Sequence, residues 1–428
     1  MDSLVLKLPF MLRHFIFSIA CCAIPFVSTA QSTLYDESKV PDYSLPELLV
    51  TEKGKQVKSV KDWEKSRRSE ILAIFEQEVY GETPRKKIPV TYHLKSIEKN
   101  AVGGKATRKE IRIQFPEGKW MDMLLYLPNH VSGKVPAFLG LNFYGNQSLE
   151  NDPTIPITPS WQRNNAGLGI SDNRANERTR GAGARNWPLE FILSNGYALA
   201  TIYYGDIFPD HAEGKPQSIH TLFPPNKKPE REWGAIGAWA WGLSRALDYL
   251  ETEDQVDAKK VAVLGHSRLG KAALWAGAQD QRFGLVISNN SGEGGAAITR
   301  RQFGETIAVI NKNFPHWFAP AYKRYDHREN DLPTDYHGLI ALVAPRPVYV
   351  ASASEDLWAD PKGEYLSLIH AGPVYKLYGK QVLTAPDPPA PQKPVMTEIM
   401  GFHIREGKHD IVQYDWEQFV KLADRHFK

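Results

Sequence analysis

The run Val261-Ala262-Val263-Leu264, followed by Gly265-His266-Ser267-Arg268-Leu269-Gly270-Lys271 and then Ala272-Ala273-Leu274-Trp275, constrains this chain more than any other stretch. Four successive apolar residues read as a buried strand, and the alanine-rich segment reads as a helix, so the small residues between them must form a tight strand-to-helix turn. Gly265 allows close backbone approach before the bend, and Gly270 allows the new helix to pack on the strands. A serine at such a bend is lifted above the sheet. There a base can take its proton while backbone N–H groups at the helix start face a developing oxyanion. The spacing is Gly-x-Ser-x-x-Gly, one residue longer than the usual Gly-x-Ser-x-Gly, with Leu269 where glycine normally stands. The turn alone does not make a nucleophile.

The surrounding pattern places this turn in an α/β chain. From Val135 onward strand-like and helix-like segments alternate, which implies a mainly parallel sheet with helices on both faces, a three-layer sandwich. Strands are expected at Ala137 to Asn142, Tyr197 to Tyr204, Val261 to Gly265, Leu285 to Ser288 and Pro347 to Ala353. Shorter runs at Val90 to Leu94, Glu110 to Phe115 and Met121 to Leu127 suggest antiparallel N-terminal strands. Residues 31–87 look peripheral, with one helix around Trp63 to Tyr80. A helix from Trp233 to Leu250 places Ile236, Trp239, Leu243, Leu247 and Leu250 on one side, so its tryptophans read as core. Residues 145–188 are rich in Asn, Pro, Gly and Arg; a loop of that length inside a domain is read as an insertion bordering the active site.

At 428 residues, with 42% hydrophobic and 24% charged, the chain has a globular composition. A formal charge of +3 without long basic runs gives no electrostatic footprint for nucleic acid. Lys7, Arg13 and His14 precede an apolar run from Phe15 to Val27, and Ser28-Thr29-Ala30 supplies the small residues a signal peptidase reads. Residues 1–30 are therefore expected to be an export signal cleaved after Ala30. The run is too short to span ~30 Å of hydrocarbon, and Ser18 stands where a lipoprotein signal usually carries leucine. Both cysteines, Cys21 and Cys22, lie within it, so the mature chain would hold no thiol and no disulfide. A periplasmic or secreted bacterial protein is implied, comprising one catalytic domain over 31–428 and free of the membrane after cleavage.

A serine nucleophile requires a base and an acid, and both have candidates downstream. The strand Pro347 to Ala353 runs into Ser354-Glu355-Asp356-Leu357-Trp358, and an acid just past a strand suits Asp356. Gly401-Phe402-His403 to Gly407-Lys408-His409-Asp410 precedes a final helix near Tyr414. His403 lies in an apolar run and reads as a hydrogen-bonded strand residue; His409 sits in a turn with freedom to reach Ser267 and is favoured as base. Elbow, acid and histidine in this order match the α/β-hydrolase fold. No Cys or His pair has ligand spacing for a metal; His316 and His327 are isolated, and no cofactor is required.

At this point a resemblance becomes specific. Gly265-His266-Ser267-Arg268-Leu269-Gly270-Lys271-Ala272, with Trp233-Gly234-Ala235-Ile236 and Trp241-Gly242-Leu243 before it and Asn290-Ser291-Gly292-Glu293-Gly294-Gly295 after it, resembles the glucuronoyl esterases of carbohydrate esterase family 15, in their bacterial form. Their Gly-x-Ser-Arg-x-Gly-Lys pattern accounts for the extra residue. The resemblance runs from about Val135 to the C-terminus. It implies hydrolysis of esters joining (4-O-methyl-)glucuronate on xylan to lignin alcohols; an acyl-enzyme route and a monomer are expected. Arg268 would help hold the oxyanion. Lys271, one helical turn from Ser267, would contact uronate hydroxyls, and Glu305 and Trp358 would line the sugar pocket. Fungal-type members carry glutamate immediately before Ser-Gly-x-Gly-Gly, whereas this chain has Asn290. Asp356 is then the expected acid, with Glu293 as an alternative. Two other functions remain open: an acetyl or feruloyl esterase on the plant wall, and a carbohydrate-binding homologue without catalysis.

Overall fold

Alternate residues of each central strand enter different cores. In β6 (Val256–His266), Val261 and Val263 join one hydrophobic cluster and Ala262 and Leu264 join a second. The same division holds for Leu139 and Phe138 in β4 (Val135–Asn142) and for Val350 and Tyr349 in β8 (Val348–Ala353). Strands covered on both faces must be apolar at successive positions, which is why they read as unbroken runs rather than alternating ones. The computed structural model describes residues 33–428, of which Leu34–Lys428 form one compact unit. The expected export segment lies outside the described residues.

Ten strands form one sheet in the order β1-β2-β3-β5-β4-β6-β7-β8-β10-β9. The others are β1 (Thr91–Ala101), β2 (Ala106–Gln114), β3 (Trp120–Pro128), β5 (Ala198–Tyr203), β7 (Leu285–Asn289), β9 (Val395–Met396) and β10 (Met400–Arg405). The first three pair antiparallel, as does β3 with β5; β5, β4, β6, β7, β8 and β10 run parallel; β9 returns antiparallel at the far edge. The chain thus has the α/β-hydrolase architecture. One core holds residues of the helices Ala235–Leu250, Arg268–Gln279, Tyr336–Ala341 and Pro361–Leu377. The other holds the helices Leu189–Ser194 and Gln413–Phe427, and Trp416 of the latter meets the Trp187 ring. The chain passes from β4 to β5 on one side and then crosses back from β5 to β6 on the other side of β4. This reversal opens a crevice at the carboxyl ends of the parallel strands.

The expectation that 31–87 is peripheral fails for its helical part. Val60–Asp62, a π-helical turn Trp63–Arg67 and the helix Arg68–Glu78 carry Trp63, Ile71 and Phe75, all buried in the main core. Arg68 donates to the Ala278 and Leu342 carbonyls, and the Tyr80 hydroxyl donates to the Gly294 carbonyl. The many charges on this segment mask a narrow apolar stripe. Phe75 touches the rings of Tyr80, Trp275 and Tyr336. Phe75→Ala is expected to cost ~3–5 kcal/mol in urea unfolding; a loss under ~1 kcal/mol would mean that this helix is not part of the core.

Candidate active site

Ser267 follows the last residue of β6 and precedes the first residue of the helix Arg268–Gln279, with φ 57° and ψ −131°. A non-glycine residue at positive φ costs ~1–3 kcal/mol, so the neighbours must enforce it. The Ser267 N–H donates to the Asn289 carbonyl at 2.8 Å, and the Ser267 carbonyl accepts from Gly270 N–H at 2.8 Å. A Cβ on Gly265 would lie 2.0 Å from the Leu269 carbonyl oxygen, so only glycine fits there. Gly270, not residue 269, faces the Gly265 carbonyl and the Ser291 side chain, where a Cβ would come within 3.1 Å of each. The shifted glycine of the motif is thus packed against the elbow, less tightly than Gly265 itself.

The other expected groups arrive at the same end of the sheet. Asp356 follows β8 and is buried; His409 lies in the loop after β10, with its imidazole 42% exposed. His409 Nδ1 is 2.6 Å from Asp356 Oδ2, and that oxygen also accepts from Asn290 Nδ2 at 2.8 Å. Burial pushes the Asp356 carboxyl up, but these partners outweigh it and hold it below the usual carboxylate range. Ser267, Arg268 and His409 line one cavity of about 280 Å³. Phe143 and Tyr144 from the loop after β4 complete one wall, and Ser148, Gly183, Asn186 and Trp187 of the 145–188 segment another. Asn186 donates to Asp410 and to the Ile411 carbonyl, tying this segment to the histidine loop.

Glu293 is not beside His409. Its carboxylate accepts from the Tyr322 hydroxyl at 2.5 Å and from Gly294 N–H at 3.0 Å. Burial raises its pKa to about 8. The alternative acid is therefore occupied elsewhere, and burial disfavours its charge. His403 is a strand residue, its ring held between Asp415 and the Tyr349 hydroxyl at 2.8 and 3.0 Å.

Lys271 is buried, with its ammonium on the Ser291 and Glu293 carbonyls at 2.5 and 2.6 Å and 3.9 Å from Glu305. Burial lowers the Lys271 pKa and raises that of Glu305. Glu305 N–H donates to the Trp358 carbonyl, and the Trp358 side chain is exposed. Arg268 pairs with Asp210, a carboxylate with no exposed surface that also accepts from His316 Nε2 at 2.8 Å and Trp317 Nε1 at 2.7 Å. His316 is thus a partner of this site and not isolated. Arg405 holds the histidine loop through the Glu406, Lys408 and Asp410 carbonyls. Arg405 is absent from the sequence-based candidates, and so are Asp210, His316 and Trp317, because no local motif connects Asp210 with partners 58 to 107 positions away.

A carbohydrate esterase from an unknown prokaryotic organism is 48% identical over 398 residues, 92% of this chain and 91% of that protein. A solved structure of a glucuronoyl esterase from Solibacter usitatus, 48% identical, superposes with a TM-score of 0.86 over 91% of this chain and all of that one. This chain belongs to carbohydrate esterase family 15. It is a carboxylic ester hydrolase of the glucuronoyl esterase family. A family model described as glucuronyl esterase of fungi matches residues 189–379. A 4-O-methyl-glucuronoyl methylesterase of Neurospora crassa is 35% identical over 158 residues, 34% of this chain and 39% of that enzyme. A promiscuous CE15 esterase from a marine bacterial metagenome superposes with a TM-score of 0.87 at 47% identity, over 92% of this chain and all of that one.

Two outcomes follow from this geometry. Gly265→Ala should lower the melting temperature and abolish esterase activity, and a variant with wild-type melting and rate would contradict the closeness of the elbow. Glu293 binds its proton more tightly folded than unfolded, so its contribution to stability is present below the ordinary value of 4.5 and is lost as pH rises toward about 8. Glu293→Gln should flatten that loss in urea unfolding between pH 5 and pH 8; an unchanged slope would show that this carboxyl is ionised.

Proposed function

We propose that this chain hydrolyses esters between (4-O-methyl-)glucuronate on xylan and lignin alcohols by way of an acyl-enzyme. The observation that carries the mechanism is the His409–Asp356 pair on the same cavity as the strained Ser267. Ser267 Oγ attacks the uronate carbonyl while His409, oriented through Nδ1 by Asp356, takes the proton and returns it to the leaving alcohol. Water then cleaves the acyl-serine with His409 as base. Arg268 donates to the developing oxyanion, on the cavity that Phe143 and Tyr144 of the loop 142–146 also line.

The substrate class rests on one group of residues and one lining. Lys271, Glu305 and Trp358 are a buried cation, a buried carboxylate and an exposed indole outside the lining of the Ser267 cavity, and groups of these kinds read sugar hydroxyls and a sugar face. The cavity beside Ser267 is walled by Leu141, Phe143, Trp187 and Ile411, which suits an aromatic alcohol. That same apolar wall favours one second reading, a feruloyl ester with its aromatic ring on the acyl side. An export signal over residues 1–30 would bring the enzyme to a polymer outside the cytoplasm.

Purified enzyme should hydrolyse benzyl glucuronate faster than methyl ferulate or acetylated xylan. Ser267→Ala should lose activity by ~10³-fold or more, Asp356→Asn by ~10³ to 10⁴, and Glu293→Gln by less than ~10-fold. Faster ferulate cleavage would replace the substrate class, and wild-type turnover in Ser267→Ala would overturn the mechanism.

A further inference from the structure

The reaction proposed above converts a neutral ester into an anion at the same carbon. A fixed cation that steadies the oxyanion also attracts the carboxylate product, so an uncompensated arginine beside the nucleophile would slow product release. The surroundings of Arg268 bear directly on this conflict. Its guanidinium is one-fifth exposed and sits 4.9 Å from the Trp317 ring, with Phe143 and Phe314 at 5.7 and 5.6 Å. The only carboxylate that it pairs with among the described residues is Asp210, which is wholly buried behind it.

Asp210 has more partners than a single ion pair requires. One oxygen accepts from His316 Nε2 and Trp317 Nε1; the other accepts from Arg268 and from the Tyr204 hydroxyl at 3.3 Å, with the mostly exposed Arg163 at 3.5 Å. Burial opposes its charge, but His316, Arg268 and Trp317 keep it well below the usual carboxylate range. A group held this way is a fixed negative charge in low dielectric. It can act at the reacting carbon only through Arg268.

We infer that Asp210 is a positioning and charge-compensating residue, which aims the Arg268 donors at the oxyanion while cancelling the net charge that would retain the glucuronate product. The physical basis is the difference in range between the two effects. The short hydrogen bonds of Arg268 depend on orientation and survive pairing, whereas its long-range attraction for an anion is that of a monopole and is largely removed by a carboxylate a few ångströms away. Discrimination between ester and acid thus lies in a residue that never touches either. The inference rests on the glucuronoyl reading of the site.

Equilibrium binding in the Ser267→Ala background tests it, because the ester is not turned over there. Sodium glucuronate and methyl glucuronate are titrated, and the ratio of their affinities is read. Adding Asp210→Asn should tighten glucuronate about tenfold and change the methyl ester by less than about threefold, since only the anion feels the uncovered charge. Arg268→Gln should shift the ratio the other way, and Asp210→Asn with Arg268→Gln should return it to within about threefold of the parent. The Arg268→Gln and double variants decide the matter even if Asp210→Asn alone fails to fold. A merely structural role would weaken both ligands together, and an unchanged ratio in all three variants would equally overturn the inference. Failure of either ligand to bind the parent Ser267→Ala protein would instead refute the glucuronate substrate class.

Discussion

The contact between Gly265 and the first turn of the following helix is the constraint on which the site depends. With no room for a side chain there, the chain must reverse within two residues, and the residue at the apex is driven to positive φ. That residue is Ser267. The sheet makes this geometry affordable: β6 lies centrally between β4 and β7, and the Ser267 N–H is held by the end of β7. The ~1–3 kcal/mol stored at the elbow is small beside the burial of two hydrophobic cores on either face of the same strand.

The acid, the base and the loop opposite them follow from the parallel register. The loop with Phe143 leaves β4, Asn290 follows β7, Asp356 follows β8 and His409 follows β10, all at one edge of the sheet. Asn290 and Asp356 come from neighbouring strand ends and share a hydrogen bond, so a carboxylate at either place faces the same region. Where this chain has an amide at 290, that amide donates to the carboxylate at 356 and helps keep it ionised. The two positions divide one task between a charge and its support.

Much of this was legible in the sequence because the central strands are short apolar runs with punctuated ends. The elbow, the order of Ser267, Asp356 and His409, and the five parallel strands read directly from such runs. The strand from Met400 to Arg405 was visible only as an apolar stretch around His403. The helix Arg68–Glu78 was misread as peripheral because its charged residues outnumber the few that enter the core. Asp210, His316 and Trp317 were not legible at all. They meet Arg268 through chain folding between distant loops, and a carboxylate, an imidazole and an indole have no shared spacing that marks them as one unit.

The central claim is that strain, base and acid converge on Ser267 alone. A serine-directed fluorophosphonate, followed by peptide mass spectrometry, tests it directly. The account predicts stoichiometric adduct on the peptide containing Ser267, labelling slowed by several orders of magnitude in His409→Ala, and esterase activity lost in proportion to labelling. An adduct on a different residue, or full activity in protein labelled at Ser267, would contradict it.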